Sequence, residues 1–215
     1  MLLLAALLAL CAGAAALAIP VDPRAACAPV MLIHAPGTSQ QGLDSVGEPL
    51  AAGLAREISG ANCERLSNPL TLLDPLPDNT SAEYLVTPAQ GARLLADTLE
   101  TQAVACPDQR FILSGYSKGA MVVHLASLDL SAEEKAKVCG VSVFGDPYDE
   151  DGILGLLGLD DDWPIEDPIV GGNVIEFCNK NDIFCDGGLD VDAHRAYPTD
   201  GSVDKAVAFL APLCS

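Results

Sequence analysis

The sequence predicts a three-layer α/β domain with a mainly parallel, five-stranded central sheet. Three observations carry this. Five short, almost wholly apolar runs recur along the chain, and helical patterns separate them. Runs without polar–apolar alternation suit strands buried on both faces, and such sheets are parallel with crossover helices. The 215 residues hold no internal repeat and no long linker, which suits one domain.

In chain order, Val30-Met31-Leu32-Ile33 is the first strand. Residues 46–58 space Val46, Leu50, Leu54 and Ile58 four apart, the face of an amphipathic helix. Leu70-Thr71-Leu72-Leu73 is the second strand. Thr87-Pro88-Ala89-Gln90 joins an N-cap, a proline at the first helical position and a capping-box glutamine. A helix should run from there to about residue 104, with Leu94, Leu95 and Leu99 inward. Arg110-Phe111-Ile112-Leu113 is a strand, and 118–128 are helical. Ser131-Ala132-Glu133-Glu134 is a second capping box, opening a short helix. Val141-Ser142-Val143-Phe144 and Val174-Ile175-Glu176-Phe177 complete the sheet, and 202–210 form a last helix. Residues 148–173 break the rhythm with an apolar island between acidic banks. This stretch reads either as a surface loop with a few buried leucines or as a mobile flap over a cleft.

Composition excludes several functions. Thirty acidic residues against 11 basic ones give a net charge of −19. Nucleic acid and anionic membrane surfaces carry the same sign and are excluded as partners. An apolar fraction of 50% excludes a disordered acidic chain.

Residues 1–18 carry no charge and end in Ala16-Leu17-Ala18, a small-x-small cleavage pattern, although the usual basic start is missing. They read as a signal peptide, too short for stable membrane insertion. The remainder, 19–215, is then one secreted domain. Without Cys11, seven cysteines remain for an oxidising compartment, one more than pairs require. Asn79-Thr80-Ser81 is a glycosylation sequon.

The chemistry centres on Gly115-Tyr116-Ser117-Lys118-Gly119, a G-x-S-x-G between a strand and a helix. That context forms a nucleophile elbow, in which a sharp turn lifts the Ser117 hydroxyl above the sheet edge. A hydroxyl needs a base. The order serine, acid, histidine selects His194, and leaves His34 and His124 as hydrogen-bonded structural residues. The acid is one of Asp182, Asp186, Asp190 and Asp192. Cys178 and Cys185 lie in one short loop around Asp182 and can bridge locally. A bridge there would hold Asp182 rigid, as a residue orienting an imidazole must be, and Asp182 is preferred.

These motifs resemble the cutinase family of secreted serine esterases, which includes acetylxylan esterases. The resemblance spans nearly all of 27–212: GYSKGA at 115–120, CNKNDIFC at 178–185, AHRAY at 193–197, FGDP at 144–147 and HAPGTSQQG at 34–42. It implies an α/β-hydrolase fold and a triad of Ser117, Asp182 and His194. It also implies an oxyanion hole from Thr38 (backbone N–H and hydroxyl) and the backbone N–H of Lys118, and disulfides Cys27–Cys106 and Cys178–Cys185. Cys63, Cys139 and Cys214 would share one further pair.

The chain departs from the family at three places: Lys118 where glutamine is usual, Pro36 where arginine is usual, and an acidic Leu189-Asp190-Val191-Asp192 before the histidine.

The expected activity is hydrolysis of carboxylic esters, from a cutin-type polyester, an acetylated plant polysaccharide or a lipid-like ester, by a monomer without cofactor or metal. The acidic runs at 149–151 and 160–162 lack the spacing of a calcium loop. The alternative is a catalytically silent secreted binding protein of the same fold.

Overall fold

The computed structural model describes residues 27–40, 43–58, 81–149, 151–152 and 172–215, and of 81–87 the backbone alone. The candidate strand at 70–73, the segment 1–18, the sequon, Cys63 and most of 148–173 lie outside the described residues.

Strands β1 (Val30–Ala35), β2 (Arg110–Tyr116), β3 (Val138–Phe144) and β4 (Val174–Phe177) form a sheet in the order β1-β2-β3-β4. Every pairing is parallel, with Ala35 beside Gly115, Tyr116 beside Phe144, and Phe144 beside Phe177. The C-terminal ends of β1, β2, β3 and β4 therefore meet along one edge, where ligands of open α/β sheets bind.

Alternate residues of each strand feed two cores. Met31, Ile33, Phe111, Leu113, Val141 and Val143 pack under helices α2 (Ser81–Ala105) and α3 (Lys118–Asp129). Val30, Leu32, Ile112 and Phe144 pack on the opposite face under α1 (Asp44–Glu57) and α6 (Ser202–Cys214). This two-sided burial is why the strands lack polar alternation, and it makes the three layers.

Between these lie two short helices, α4 (Ala132–Lys135) and α5 (Val191–Arg195). The expected capping box opens α4: Ser131 Oγ accepts from the Glu134 N–H, and Glu134 Oε2 from the Ser131 N–H. Among the described residues, no helix is long and apolar enough to cross a membrane.

Three expectations need correction. Helix α2 begins at Ser81, not after Thr87, and Pro88 lies inside it. A proline forfeits its own N–H bond, yet the helix passes through Pro88, which is buried on the same side as Ala92, Leu95 and Leu99. Leu94 is 41% exposed rather than inward, because it stands one residue, about 100° around the helix, from that face. Finally, β3 starts at Val138 and α6 runs on to Cys214, both longer than apolar patterning implied. Cys139 and Cys214 are buried in the core between these elements and form a disulfide.

Candidate active site

Ser117 sits between the end of β2 and the first residue of α3, with φ 54° and ψ −122°. A non-glycine residue seldom adopts that conformation, and it persists only where surroundings impose it. They do so here. The Ser117 N–H donates to the Phe144 carbonyl (2.9 Å), and its own carbonyl accepts from Ala120 N–H (2.8 Å). A β-carbon on Gly115 would stand 2.2 Å from the Gly119 carbonyl oxygen, and one on Gly119 would stand 1.9 Å from that of Ala35. Both motif glycines are thus required by close backbone packing. The second contact presses the N-terminus of α3 against the end of β1 and the 36–40 loop.

Asp182 is fully buried in the loop closed by the Cys178–Cys185 disulfide. His194 Nδ1 lies 2.8 Å from Asp182 Oδ2 and 3.0 Å from Oδ1. The same carboxylate accepts from Tyr197 Oη (2.6 Å) and from the Phe184 N–H (2.8 Å). Burial alone would push the Asp182 carboxyl up, but the His194, Tyr197 and Phe184 donors outweigh it and hold the carboxyl below its ordinary range. The other candidate acids are engaged elsewhere. Asp186 accepts from the Asn181 N–H (2.5 Å), and Asp190 caps α5 by accepting from Asp192 (2.9 Å) and Ala193 (3.2 Å) N–H groups. Asp192 is exposed.

Aromatic rings clamp the His194 imidazole. Tyr116 stacks on it at 5.1 Å between centroids, and Phe184 leans on it at 4.4 Å. Tyr116 Oη also donates to the His194 carbonyl (2.8 Å). Burial first, then the charges of Asp44 and Asp182, push the Tyr116 phenol up to about 12, so it remains a donor. Both Ser117 and His194 border the β3 end: Phe144 receives the Ser117 N–H, and the next residue, Gly145, lies against the imidazole. Sequence reasoning singled out neither Tyr116, Phe184, Tyr197 nor Gly145 for a role, although all four lie inside the motifs it quoted.

Lys118 is buried at the start of α3, and Thr38 is exposed at the tip of the 36–40 loop. The other histidines each face an aspartate. His124 Nε2 bonds Asp146 Oδ2, as expected of a structural histidine. His34 Nε2 lies 3.2 Å from Asp44 Oδ1, so this histidine too is paired with a carboxylate. Disulfides Cys27–Cys106 and Cys178–Cys185 are present as the resemblance implied, and Cys139–Cys214 is the third.

Known proteins resemble this chain in sequence and fold. The chain is 28% identical to the carboxylesterase Culp1 of Mycobacterium tuberculosis over 197 residues, covering 89% of this chain and 86% of that protein. It is 30% identical to the cutinase cut1 of Trichoderma harzianum over 192 residues, covering 88% and 69%. A Trichoderma reesei cutinase in complex with a phosphonate inhibitor superposes with a TM-score of 0.68 at 26% identity, covering 88% of this chain and 78% of that one. An acetyl xylan esterase shares the fold with a TM-score of 0.70 at 18% identity, over 88% of this chain and 100% of that one. The cutinase family profile matches residues 26–213, and the chain belongs to the cutinase family of serine ester hydrolases.

Proposed function

We propose that this chain is secreted after loss of residues 1–18 and cleaves carboxylic esters through an acyl-enzyme on Ser117. The observation that carries this is the buried Asp182 carboxylate 2.8 Å from His194 Nδ1, taken with the strained elbow that holds Ser117. With Nδ1 committed to Asp182, Nε2 is the nitrogen that takes the Ser117 proton as Oγ attacks the ester carbonyl. The backbone N–H of Lys118 and the N–H and hydroxyl of Thr38 hold the oxyanion. His194 returns the proton to the leaving alcohol, then activates the water that frees the acid and restores Ser117.

The three disulfides among the described residues support an oxidising, extracellular setting. The ester is a cutin-type polyester, an acetylated plant polysaccharide or a lipid-like ester. Leu189, 90% exposed, and Val191 offer apolar contacts next to His194, while Asp190 and Asp192 between and after them favour an uncharged substrate.

A fluorophosphonate probe should add to Ser117, read by intact mass, and Ser117→Ala should abolish the adduct. A panel of p-nitrophenyl esters of graded chain length, with acetylated xylan and a polyester film, assigns the substrate. No adduct under conditions that label a control esterase would overturn the esterase reading in favour of a silent binding protein.

A further inference from the structure

Under the 36–40 loop lies a second buried carboxylate that the triad does not use. Asp44 opens α1 with φ 53°, a backbone region that residues other than glycine seldom enter. Its carboxylate takes part in three backbone bonds. Oδ1 accepts from Val46 N–H (2.7 Å) and Gly47 N–H (2.9 Å), and Oδ2 accepts from Gly37 N–H (3.0 Å). The first two bonds cap a helix. The third crosses to another element and ends on the N–H of Gly37, the residue immediately before Thr38.

His34, the penultimate residue of β1, stands on the other side of this carboxylate. It is fully buried, Nδ1 has no hydrogen-bond partner among the described residues, and Nε2 is 3.2 Å from Asp44 Oδ1. Its ring cannot withdraw into α1: a β-carbon on Gly47 would stand 2.4 Å from it. The polar group this ring faces is the Asp44 carboxylate. Gly37 is confined from the opposite side, since a β-carbon there would stand 2.9 Å from the Tyr116 ring. Tyr116 in turn stacks on His194.

We propose that Asp44 and His34 form a positioning pair for the oxyanion hole, in which the Asp44 carboxylate holds the Gly37 peptide so that Thr38 presents its donors to the substrate oxygen. His34 steadies the carboxylate through the contact of its Nε2 with Oδ1. Burial would push the Asp44 carboxyl up, but His34 and the N–H groups of Gly47 and Gly37 prevail and keep it below its ordinary range, so the tether stays ionised. The inference rests on the assignment of Thr38 to the oxyanion hole.

The test is a double-mutant cycle on a neutral short-chain ester, with kcat and KM measured separately and folding checked by thermal unfolding. Thr38→Ala should lower kcat, because losing one oxyanion donor costs about 10²–10³-fold. Asp44→Asn should lower kcat by about tenfold, short of a lost donor, with KM nearly unchanged. In the Thr38→Ala background the same change should cost less than about twofold. His34→Gln should reproduce part of the Asp44→Asn loss and share its non-additivity. Equal factors in both backgrounds, or an unchanged kcat in Asp44→Asn, would overturn the positioning role. If Asp44→Asn does not fold, Asp44→Gly replaces it in the cycle, because glycine accepts φ 53° while lacking the tether. A Thr38→Ala enzyme with full kcat would remove the oxyanion assignment and this inference together. Ser117 labelling would still report on the esterase reading separately.

Discussion

Gly145 is the floor beneath the His194 imidazole. A β-carbon at position 145 would stand 2.7 Å from both His194 Cε1 and Nδ1, and 2.9 Å from Tyr197 Cε2. The residue also has φ 56°, so a side chain there would be strained as well as crowded. Since Phe144 receives the Ser117 N–H, one dipeptide spaces the nucleophile from the base.

Gly145→Ala should therefore displace the imidazole without removing any reacting group. A shift of about 1 Å in a catalytic group can cost 10²-fold, so kcat/KM should fall by about that factor or more. Steady-state kinetics, with far-UV circular dichroism to verify the fold, measures this. Wild-type kcat/KM in a folded Gly145→Ala protein would show that the contact does not position His194.

Asp182→Asn should lower kcat by about 10⁴-fold, because an amide favours the wrong imidazole tautomer while leaving the geometry in place. Stability carries a second signature. The Asp182 carboxyl is held below its ordinary range in the folded chain. Its contribution is therefore fully present above the unfolded value of about 3.9 and lost as pH falls through the lower folded value. Thermal melts across this acid range should show a smaller acid-induced drop in Asp182→Asn than in the wild type. Asp44 adds its own drop in the same direction, so the variant should keep part of the slope. Parallel melting curves would refute the role of Asp182 in acid unfolding.

Tyr197→Phe separates support from catalysis. The Tyr197 hydroxyl donates to Asp182 (2.6 Å) and accepts from the Asn179 N–H (3.0 Å). Removing it takes one donor from the buried Asp182 carboxylate and the acceptor from the half-buried Asn179 N–H, which should cost about 1–3 kcal/mol of stability. The His194–Asp182 bond survives, so the loss in kcat/KM should be smaller than the roughly 10⁴-fold of Asp182→Asn. Chemical denaturation and kinetics on the same preparation compare the two effects.

Peptide mapping without reduction should find Cys139 joined to Cys214, across a separation of 75 residues. Replacing both with alanine should cost about 4 kcal/mol in the chain-entropy model, read as a lower denaturation midpoint. Finding Cys63 bonded to either residue would contradict this pairing.

The sequence by itself determined whatever depends on neighbours along the chain. The Ser117 elbow was legible because its two glycines, its strand and its helix are contiguous. The Ser131 capping box was legible because both of its bonds close within four residues. The parallel sheet followed from apolar runs that two-sided burial demands, although the strand expected at 70–73 lies outside the described residues. Asp182 could be preferred among four carboxylates because a disulfide loop marked it locally.

Only the tertiary structure decided what meets across layers. The Thr87-Pro88 signal marked a helix start, yet the helix begins at Ser81 with Pro88 inside it, and one residue of helical phase turned Leu94 outward. Seven cysteines admit many pairings, and spatial proximity of β3 and α6 chose Cys139–Cys214. The tyrosine on Asp182, the glycine under His194 and the aspartate tethering Gly37 are contacts 15, 49 and 7 residues apart, respectively. A contact between distant residues leaves no periodicity in the chain, because its energy depends on where the folded layers bring two surfaces together.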